Sequence, residues 1–225
     1  MNAFESGYEM GANWVESDVK VTADGAFVLI HDQTVDRTTD GAGTVSESSM
    51  SYIAGLDAGS WFDQKYKDAR IPVLVELLDW AETHSGMCLP SAQELSLEDA
   101  NTVCQLVADH YLLDKTLVMS LDFALVRELK KMFPRICTGL LYQQQLSENF
   151  RRALRGDLDY LHPAQFTVNK RIVRQAHEAG VPVAAVVLPQ KDWILERWRW
   201  GVDIFNCDDP GMPRHVIEAE LRTLK

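Results

Sequence analysis

The feature that most constrains the fold is a regular alternation of short apolar segments with amphipathic segments along nearly the whole chain. The apolar segments predict strands at 14–20, 86–92, 116–121, 136–141, 158–162, 182–187 and 202–206. The amphipathic segments predict helices at 2–11, 73–84, 97–110, 122–132, 146–155, 168–179 and 190–200, and after Pro213. In the segment 168–179, Val168, Ile172, Val173 and Ala176 keep a 3.6-residue period, and Gly180 ends it. Such alternation predicts an α/β fold in which helices cover a parallel sheet.

Two α/β architectures fit this alternation, and the strand count bears on both. A doubly wound nucleotide-binding sheet carries a glycine-rich phosphate loop, but the chain contains neither G-x-G-x-x-G nor G-x-x-x-x-G-K-S/T. A TIM (β/α)8 barrel fits better, although it needs eight strands and only seven are predicted in βα units. The fold class expected is therefore an α/β barrel that lacks its first strand. Either 21–31 closes the gap, or the barrel is open there, or the natural protein begins further upstream.

Composition limits the domain count and the partners. The 225 residues are 46% hydrophobic without a linker-like stretch, which favours one domain over 1–225. The formal net charge of −11 argues against nucleic acid or an anionic membrane as a partner. No apolar run reaches the length of a membrane span and the start does not resemble a signal peptide, so we expect a cytoplasmic protein whose oligomeric state is open. The four cysteines are expected to be buried free thiols, with a disulfide or a zinc site as the alternative: Cys88, Cys104, Cys137 and Cys207.

Two acids on the first predicted strand suggest a cation site. Glu16 and Asp18 are two residues apart, so their side chains share one face of the strand. If that face is buried, the two carboxylates repel each other and lose solvation, and they then need a cation. Oxygen ligands favour Mg²⁺ or Ca²⁺ over zinc. The alternative is an edge strand whose polar face lies in solvent.

A histidine returns to the same strand end. Thr22, Ala23, Asp24 and Gly25 form a turn signal that folds the chain back and carries His31 towards the two acids. A histidine beside a metal-bound phosphate can protonate a leaving alkoxide, which departs poorly without a proton. The alternative is a structural histidine at a strand end.

These residues lie in a run that resembles a known family. The run WVESDVKVTADGAFVLIHDQTVDRTTDGAGTV is similar to the signature of the glycerophosphodiester phosphodiesterases, in which E-x-D precedes T-x-D-G, H-D and R-T-T-x-G-x-G. The stretch LDAGSWFDQKYKDARIPVLVELLDW resembles the inserted loop of that family and the helix after it. Later segments resemble its remaining strands and helices, namely MSLDFALVRELKKMFPRICTGLLY, AHEAGVPV and GVDIFNCDDPG. The resemblance covers nearly the whole chain.

The resemblance implies a fold, a reaction and a cofactor. It implies a TIM barrel with a hairpin and loop inserted over about 21–72, above the carboxyl-terminal rim. It also implies hydrolysis of small glycerophosphodiesters to glycerol 3-phosphate and an alcohol with one divalent cation, Mg²⁺ or Ca²⁺. Carried over by position, Glu16 and Asp18 would be metal ligands and His31 the general acid.

The inserted loop brings two aromatic residues into consideration. Trp61 and Phe62 are expected either to form an apolar wall of the substrate pocket or to pack the insertion onto the barrel rim. His162 and Asp122 also end predicted strands. We interpret His162 as structural and Asp122 as the cap of the helix that follows.

The chain departs from the family pattern in three places. Family members open with H-R-G and P-E-N-T motifs, which have no counterparts here; the resemblance implies that their residues supply a second histidine, a phosphate-binding arginine and a metal-ligating glutamate. The E-x-K motif is replaced by GMCLPSAQELSLED, where Glu94 is the nearest candidate ligand and the lysine position becomes Ser96. The W-T motif is replaced within 184–190. Two hypotheses remain: an enzyme whose native start lies upstream, or an inactive barrel that binds a phosphodiester or a partner.

Overall fold

All but one of the described strands run parallel to their neighbours, as the alternation predicts. The structure is a computed structural model that describes residues 1–84, 87–91, 95–142, 148–164 and 166–223. Its strands are Trp14–Val21 (β1), Phe27–Leu29 (β2), Met87–Ser91 (β3), Leu117–Ser120 (β4), Cys137–Tyr142 (β5), Tyr160–Pro163 (β6), Ala184–Val186 (β7) and Ile204–Asn206 (β8). Each predicted strand is confirmed within about two residues.

Helices follow the parallel strands. They are Asn2–Glu9 (α1), Met50–Ile53 (α2), Leu74–Thr83 (α3), Leu97–Asp109 (α4), Phe123–Met132 (α5), Glu148–Arg152 (α6), Lys170–Glu178 (α7), Lys191–Trp200 (α8) and Gly211–Thr223 (α9), with a π-helical turn at Ala153–Asp157. In α7, Asn169 accepts hydrogen bonds from the backbone N–H groups of Arg171 and Ile172, so the helix begins there. Gly180, with φ of +75°, follows its end as predicted.

The strand order places β1 and β8 at the two ends of the parallel array. One sheet has the order β2, β1, β3, β4, β5, β6, and a parallel bridge between Leu161 and Val183 links it to the pair β7 and β8. The strand β2 pairs antiparallel with residues 19–21 of β1 and not with β8. Among the described strands, therefore, the hairpin does not close the gap at the front of the barrel.

Alternate residues of the strands face two different cores. Inward-facing residues of several strands form one apolar cluster, made of Trp14, Leu117, Met119, Cys137, Leu141, Tyr160, Ala184 and Ile204. Residues of opposite parity, such as Val15 and Val19, pack outwards against the helices together with Leu77 and Val103. Glu16 and Asp18 share the parity of Trp14, so β1 directs both acids to the inner face.

The segment between β1 and α3 has a small core of its own. Its buried apolar residues are Val28, Ile30, Val35, Val45, Ile53, Leu56 and Ile71. A polar centre fixes the second half of this segment, because the Asp57 carboxylate accepts hydrogen bonds from the N–H groups of Gly59, Ser60 and Asp68 and from the Ser60 hydroxyl. These hydrogen bonds, that from Asp68 first, hold the pKa of Asp57 well below its usual range.

The cysteines with described side chains are free thiols, as predicted, although only Cys104 is buried and the other two are partly buried. These are Cys104, Cys137 and Cys207. Burial raises the pKa of Cys104 to about 12 and the pKa values of the other two to about 11, so none has the character of a reactive thiolate. The side chain of Cys88 lies outside the described residues.

No helix in the described part of the chain combines the length and apolarity required to cross a bilayer.

Candidate active site

The two acids of β1 lie inside the barrel at the end where β1 turns into β2. Asp18 is buried, with a relative exposure of 9%, and Glu16 is partly buried. The backbone N–H of Ile30 donates to the backbone carbonyl of Asp18 at 3.0 Å, which ties the returning chain to the acid-bearing strand. His31 is the next residue after this tie.

Glu16 lies within electrostatic range of both Asp18 and His31. The pKa of Glu16 is raised to about 7, first by burial and then by the negative charge of Asp18. The nearby His31 acts in the opposite direction and lowers that pKa. The structure thus brings together three residues that the sequence analysis assigned to one site.

This environment suits a divalent cation. A carboxyl group whose pKa is raised by burial and by a second carboxylate gains most from a nearby positive charge. Both donors are carboxylate oxygens, the ligand type that Mg²⁺ and Ca²⁺ prefer. Within the residues that the structure describes, no group of three or more His, Cys, Asp or Glu side chains could hold a metal. Glu94, the third predicted ligand, lies outside those residues.

A lysine on the same strand was missed by the sequence analysis. Lys20 is two residues beyond Asp18 on the same face of β1, and its relative exposure is 9%. Its parity with Glu16 and Asp18 was readable from the sequence, but a lysine near a strand end is usually solvated, so its burial was not foreseen.

His31 and the predicted pocket aromatics differ in how they are held. The side chain of His31 is 75% exposed, and its Nδ1 shares a 2.8 Å hydrogen bond with Asp32. Trp61 and Phe62 are 51% and 70% exposed and contact each other, with ring centroids 5.8 Å apart. This exposure is not what packing onto the barrel rim would give. The indole N–H of Trp61 donates to the carbonyl of Ala58, which fixes the ring at the surface.

Two inward-facing residues of β6 carry polar atoms without a partner among the described atoms. Tyr160 is 1% exposed, and its hydroxyl makes no hydrogen bond to a described residue. Burial raises the pKa of Tyr160 far above its usual value, and Cys137 and Glu16 add to this effect. Burial lowers the pKa of His162 to about 4, so it is neutral near pH 7, in agreement with a structural role. No sequence signal distinguished Tyr160 from an ordinary core tyrosine.

Asp122 is a helix cap, as predicted. Its carboxylate accepts hydrogen bonds from the N–H groups of Ala124 at 2.8 Å and Leu125 at 3.3 Å, at the start of α5. The altered segment 184–190 forms β7 and the turn into α8, and the N–H of Val187 donates to the carbonyl of Asn206.

Comparison with known proteins identifies the family of the chain. The chain matches the model of the glycerophosphoryl diester phosphodiesterase family over residues 1–212. It is 34% identical over 217 residues to a glycerophosphodiester phosphodiesterase of Caldanaerobacter subterraneus subsp. tengcongensis, covering 92% of this chain and 87% of that protein.

Solved structures show the same fold. A phosphodiesterase of Oleispira antarctica in complex with the product sn-glycerol-3-phosphate has a TM-score of 0.86 and 26% identity, over 96% of this chain and 89% of that one. A glycerophosphodiester phosphodiesterase of Agrobacterium tumefaciens has a TM-score of 0.79 and 23% identity, over 94% of this chain and 90% of that one.

The parallel strand order and these structural neighbours define a TIM-barrel phosphoric diester hydrolase. In this fold the active site lies at the carboxyl end of the strands. The chain belongs to the glycerophosphoryl diester phosphodiesterase family, as the resemblance in its first third predicted.

Proposed function

We propose that this chain hydrolyses glycerophosphodiesters to glycerol 3-phosphate and an alcohol, with one divalent cation held by Glu16 and Asp18. The observation that carries the proposal is the placement of two inward-facing carboxylates on β1, where the backbone hydrogen bond from Ile30 to Asp18 holds the chain just before His31. The family match and the named activity of the Caldanaerobacter relative support the reaction class.

In the proposed reaction His31 is the general acid. Its imidazolium donates a proton to the leaving oxygen as the bond between that oxygen and phosphorus breaks, so the alcohol departs neutral. A water oxygen forms the new bond to phosphorus as its protons pass to solvent, and the phosphate stays on glycerol. Exposure of the His31 side chain gives a bound substrate access to the ring.

The proposed cation is Mg²⁺ or Ca²⁺, and Glu94 is the proposed third ligand. When bound, the cation supplies the positive charge that polarises the phosphoryl oxygens. Glu16 and Asp18 would then serve as ionised ligands, because the charge of the cation offsets the repulsion between them.

Trp61 and Phe62 are proposed to contact the substrate as an exposed apolar wall. We also propose a cytoplasmic location, which the free thiols of Cys104, Cys137 and Cys207 support.

Release of glycerol 3-phosphate from glycerophosphocholine tests the proposal. We expect turnover by the purified protein with Mg²⁺ or Ca²⁺, its loss on chelation, and a decrease of about 10²–10⁴-fold in His31→Ala. Asp24→Asn is a matched control, because Asp24 lies in the same hairpin and its carboxylate accepts from the Thr22 hydroxyl and from the backbone N–H of Met50 at the start of α2. Equal rates for wild type and His31→Ala would remove His31 from the mechanism. Calorimetric binding of glycerophosphocholine without turnover would instead favour the inactive, ligand-binding barrel.

A further inference from the structure

His31 is the first member of a chain of three hydrogen-bonded side chains. Its Nδ1 lies 2.8 Å from Oδ1 of Asp32. Arg37 holds the same carboxylate with two bonds, from Nε to Oδ2 at 2.5 Å and from Nη2 to Oδ1 at 3.0 Å. A guanidinium that binds both oxygens of a carboxylate fixes its orientation as well as its charge.

The loop that carries Arg37 is well anchored. Two backbone hydrogen bonds close it, from the N–H of Val35 to the carbonyl of Gly43 and from the N–H of Val45 to the carbonyl of Gln33. Val35 and Val45 are 0% and 1% exposed and belong to the small core of the inserted segment. The position of Arg37 is therefore set by buried contacts on both sides of it, although its own side chain is largely exposed.

This geometry determines which nitrogen of His31 can react. Asp32 accepts hydrogen bonds from Arg37 and, since an ionised carboxylate only accepts, the Nδ1 of His31 must be the donor in its contact with Asp32. The proton on Nδ1 is then held by Asp32, and Nε2 is the ring nitrogen left to face a substrate. Hydrogen bonds from Arg37 first, and from His31 second, hold the pKa of Asp32 well below its usual range, so it stays ionised through the reaction.

We propose that Asp32 and Arg37 are positioning residues that fix the ring of His31 with Nε2 towards the phosphodiester. The proposal rests on the proposed function, in which His31 is the general acid. In the proton transfer, Nε2 gives its proton to the leaving oxygen. Nδ1 keeps its own proton, which stays hydrogen-bonded to the ionised Asp32. Asp32 thus also offsets the charge of the imidazolium before transfer, and Arg37 prevents the carboxylate from rotating away.

Asp32 and Arg37 could instead only support the structure of the pocket. Two substrates distinguish this structural role from positioning of His31. One is glycerophosphocholine, whose leaving alkoxide needs a proton; the other is the glycerophosphodiester of 4-nitrophenol, whose leaving group departs without one. Loss of general acid catalysis slows only the first reaction substantially, whereas a damaged pocket slows both.

We expect Asp32→Ala and Arg37→Ala to lower kcat on glycerophosphocholine by about 10–100-fold, the range seen when the partner that orients a functional histidine is removed. On the 4-nitrophenyl ester we expect less than about a threefold loss for both variants, the same contrast that His31→Ala gives. Arg37→Lys keeps the charge but not the two hydrogen bonds to Asp32, and we expect its kcat on glycerophosphocholine to lie between those of wild type and Arg37→Ala. Asp36→Ala is the control, since Asp36 lies in the same loop and accepts from the N–H of Gly43, whereas the described hydrogen bond of the His31 ring goes to Asp32.

Equal losses on the two substrates, or no loss on either, would overturn the positioning role.

Long-range ¹H–¹⁵N spectra of the His31 ring provide a readout that does not depend on turnover. We expect the neutral ring to carry its proton on Nδ1 in wild type and in Asp36→Ala, and to become a mixture of tautomers in Asp32→Ala. A wild-type ring protonated on Nε2, or an unchanged ring in Asp32→Ala, would refute the proposal. If His31→Ala shows no dependence on the leaving group, the proposed function fails at His31, and the spectra alone decide the positioning.

Discussion

Tyr160 lies over Gly139 in the barrel interior so closely that a Cβ at position 139 would stand 1.9 Å from Cε1 of the tyrosine ring. The two residues are directly paired across β5 and β6. Because Tyr160 is 1% exposed and surrounded by apolar neighbours, the ring cannot move aside without disturbing the inner core.

We therefore expect Gly139→Ala to lower the free energy of unfolding by about 1–3 kcal/mol or more, as overpacking of a core does. Urea denaturation monitored by tryptophan fluorescence measures it. Gly7→Ala is the control, because a Cβ at Gly7 meets nothing within 4 Å and alanine favours the helix α1. A Gly139→Ala protein as stable as Gly7→Ala would contradict the close approach.

The raised pKa of Glu16 predicts a pH dependence of the metal-free protein. The group titrates near its ordinary value of 4.5 when unfolded and at about 7 when folded, so the folded state binds the extra proton between these values. The contribution of Glu16 to the free energy of unfolding is fully present below pH 4.5 and is lost as the pH rises to 7, by about 3 kcal/mol. We expect Glu16→Gln to remove this loss and to exceed wild type in stability at pH 8 but not at pH 4. Parallel stability profiles for the two proteins would argue that Glu16 is solvated.

His162 predicts the opposite slope. Its pKa falls from 6.5 to about 4 on folding, because burial disfavours the imidazolium. Its contribution is present above pH 6.5 and is lost as the pH falls towards 4, again by about 3 kcal/mol. We therefore expect the free energy of unfolding of His162→Leu, relative to that of wild type, to be higher at pH 4.5 than at pH 7. Chemical denaturation at both pH values measures it. A difference independent of pH would show that His162 is accessible to protons in the folded state.

Metal binding should stabilise the folded protein through Glu16 and Asp18. A ligand at 100 times its Kd adds about 2.7 kcal/mol to the free energy of unfolding. We expect Mg²⁺ or Ca²⁺ to raise Tm in wild type at pH 8 and to have little effect in the double variant Glu16→Gln, Asp18→Asn. A Tm increase of the same size in the variant would show that the cation binds somewhere other than β1.

The polar centre at Asp57 predicts a local effect. Asp57→Ala removes the acceptor for three backbone N–H groups and one hydroxyl, so we expect the surrounding loop to open while the barrel stays folded. Trypsin should then cut after Lys65 or Lys67 at least tenfold faster, as followed by mass spectrometry. Asp63→Ala is the control, since its carboxylate accepts only from the N–H of Lys65 among backbone groups of the described chain. Equal cleavage rates in the two variants would remove Asp57 as the centre of the loop.

The strands and helices were predictable because their periodicity is local. The segment 168–180 carries its apolar face and its stop signal, Gly180, within thirteen residues, and the observed helix α7 agrees with them closely. The acids of the site were predictable for the same reason, since Glu16 and Asp18 share a face by parity alone. Contacts that depend on the third dimension were not, such as the ring of Tyr160 over Gly139 and the grip of Arg37 on Asp32. Burial of Lys20 belongs with them, because it depends on what surrounds the strand and not on its sequence pattern.

The inserted segment has an apolar core separate from both barrel cores, and it joins the scaffold mainly through β2 and the Ile30 tie to Asp18. Because Trp61 and Phe62 are exposed, we expect substitutions around them to change the stability of the barrel little. Under the proposed function, headgroup choice is then open to change through the inserted segment while the acid-bearing strand stays constant.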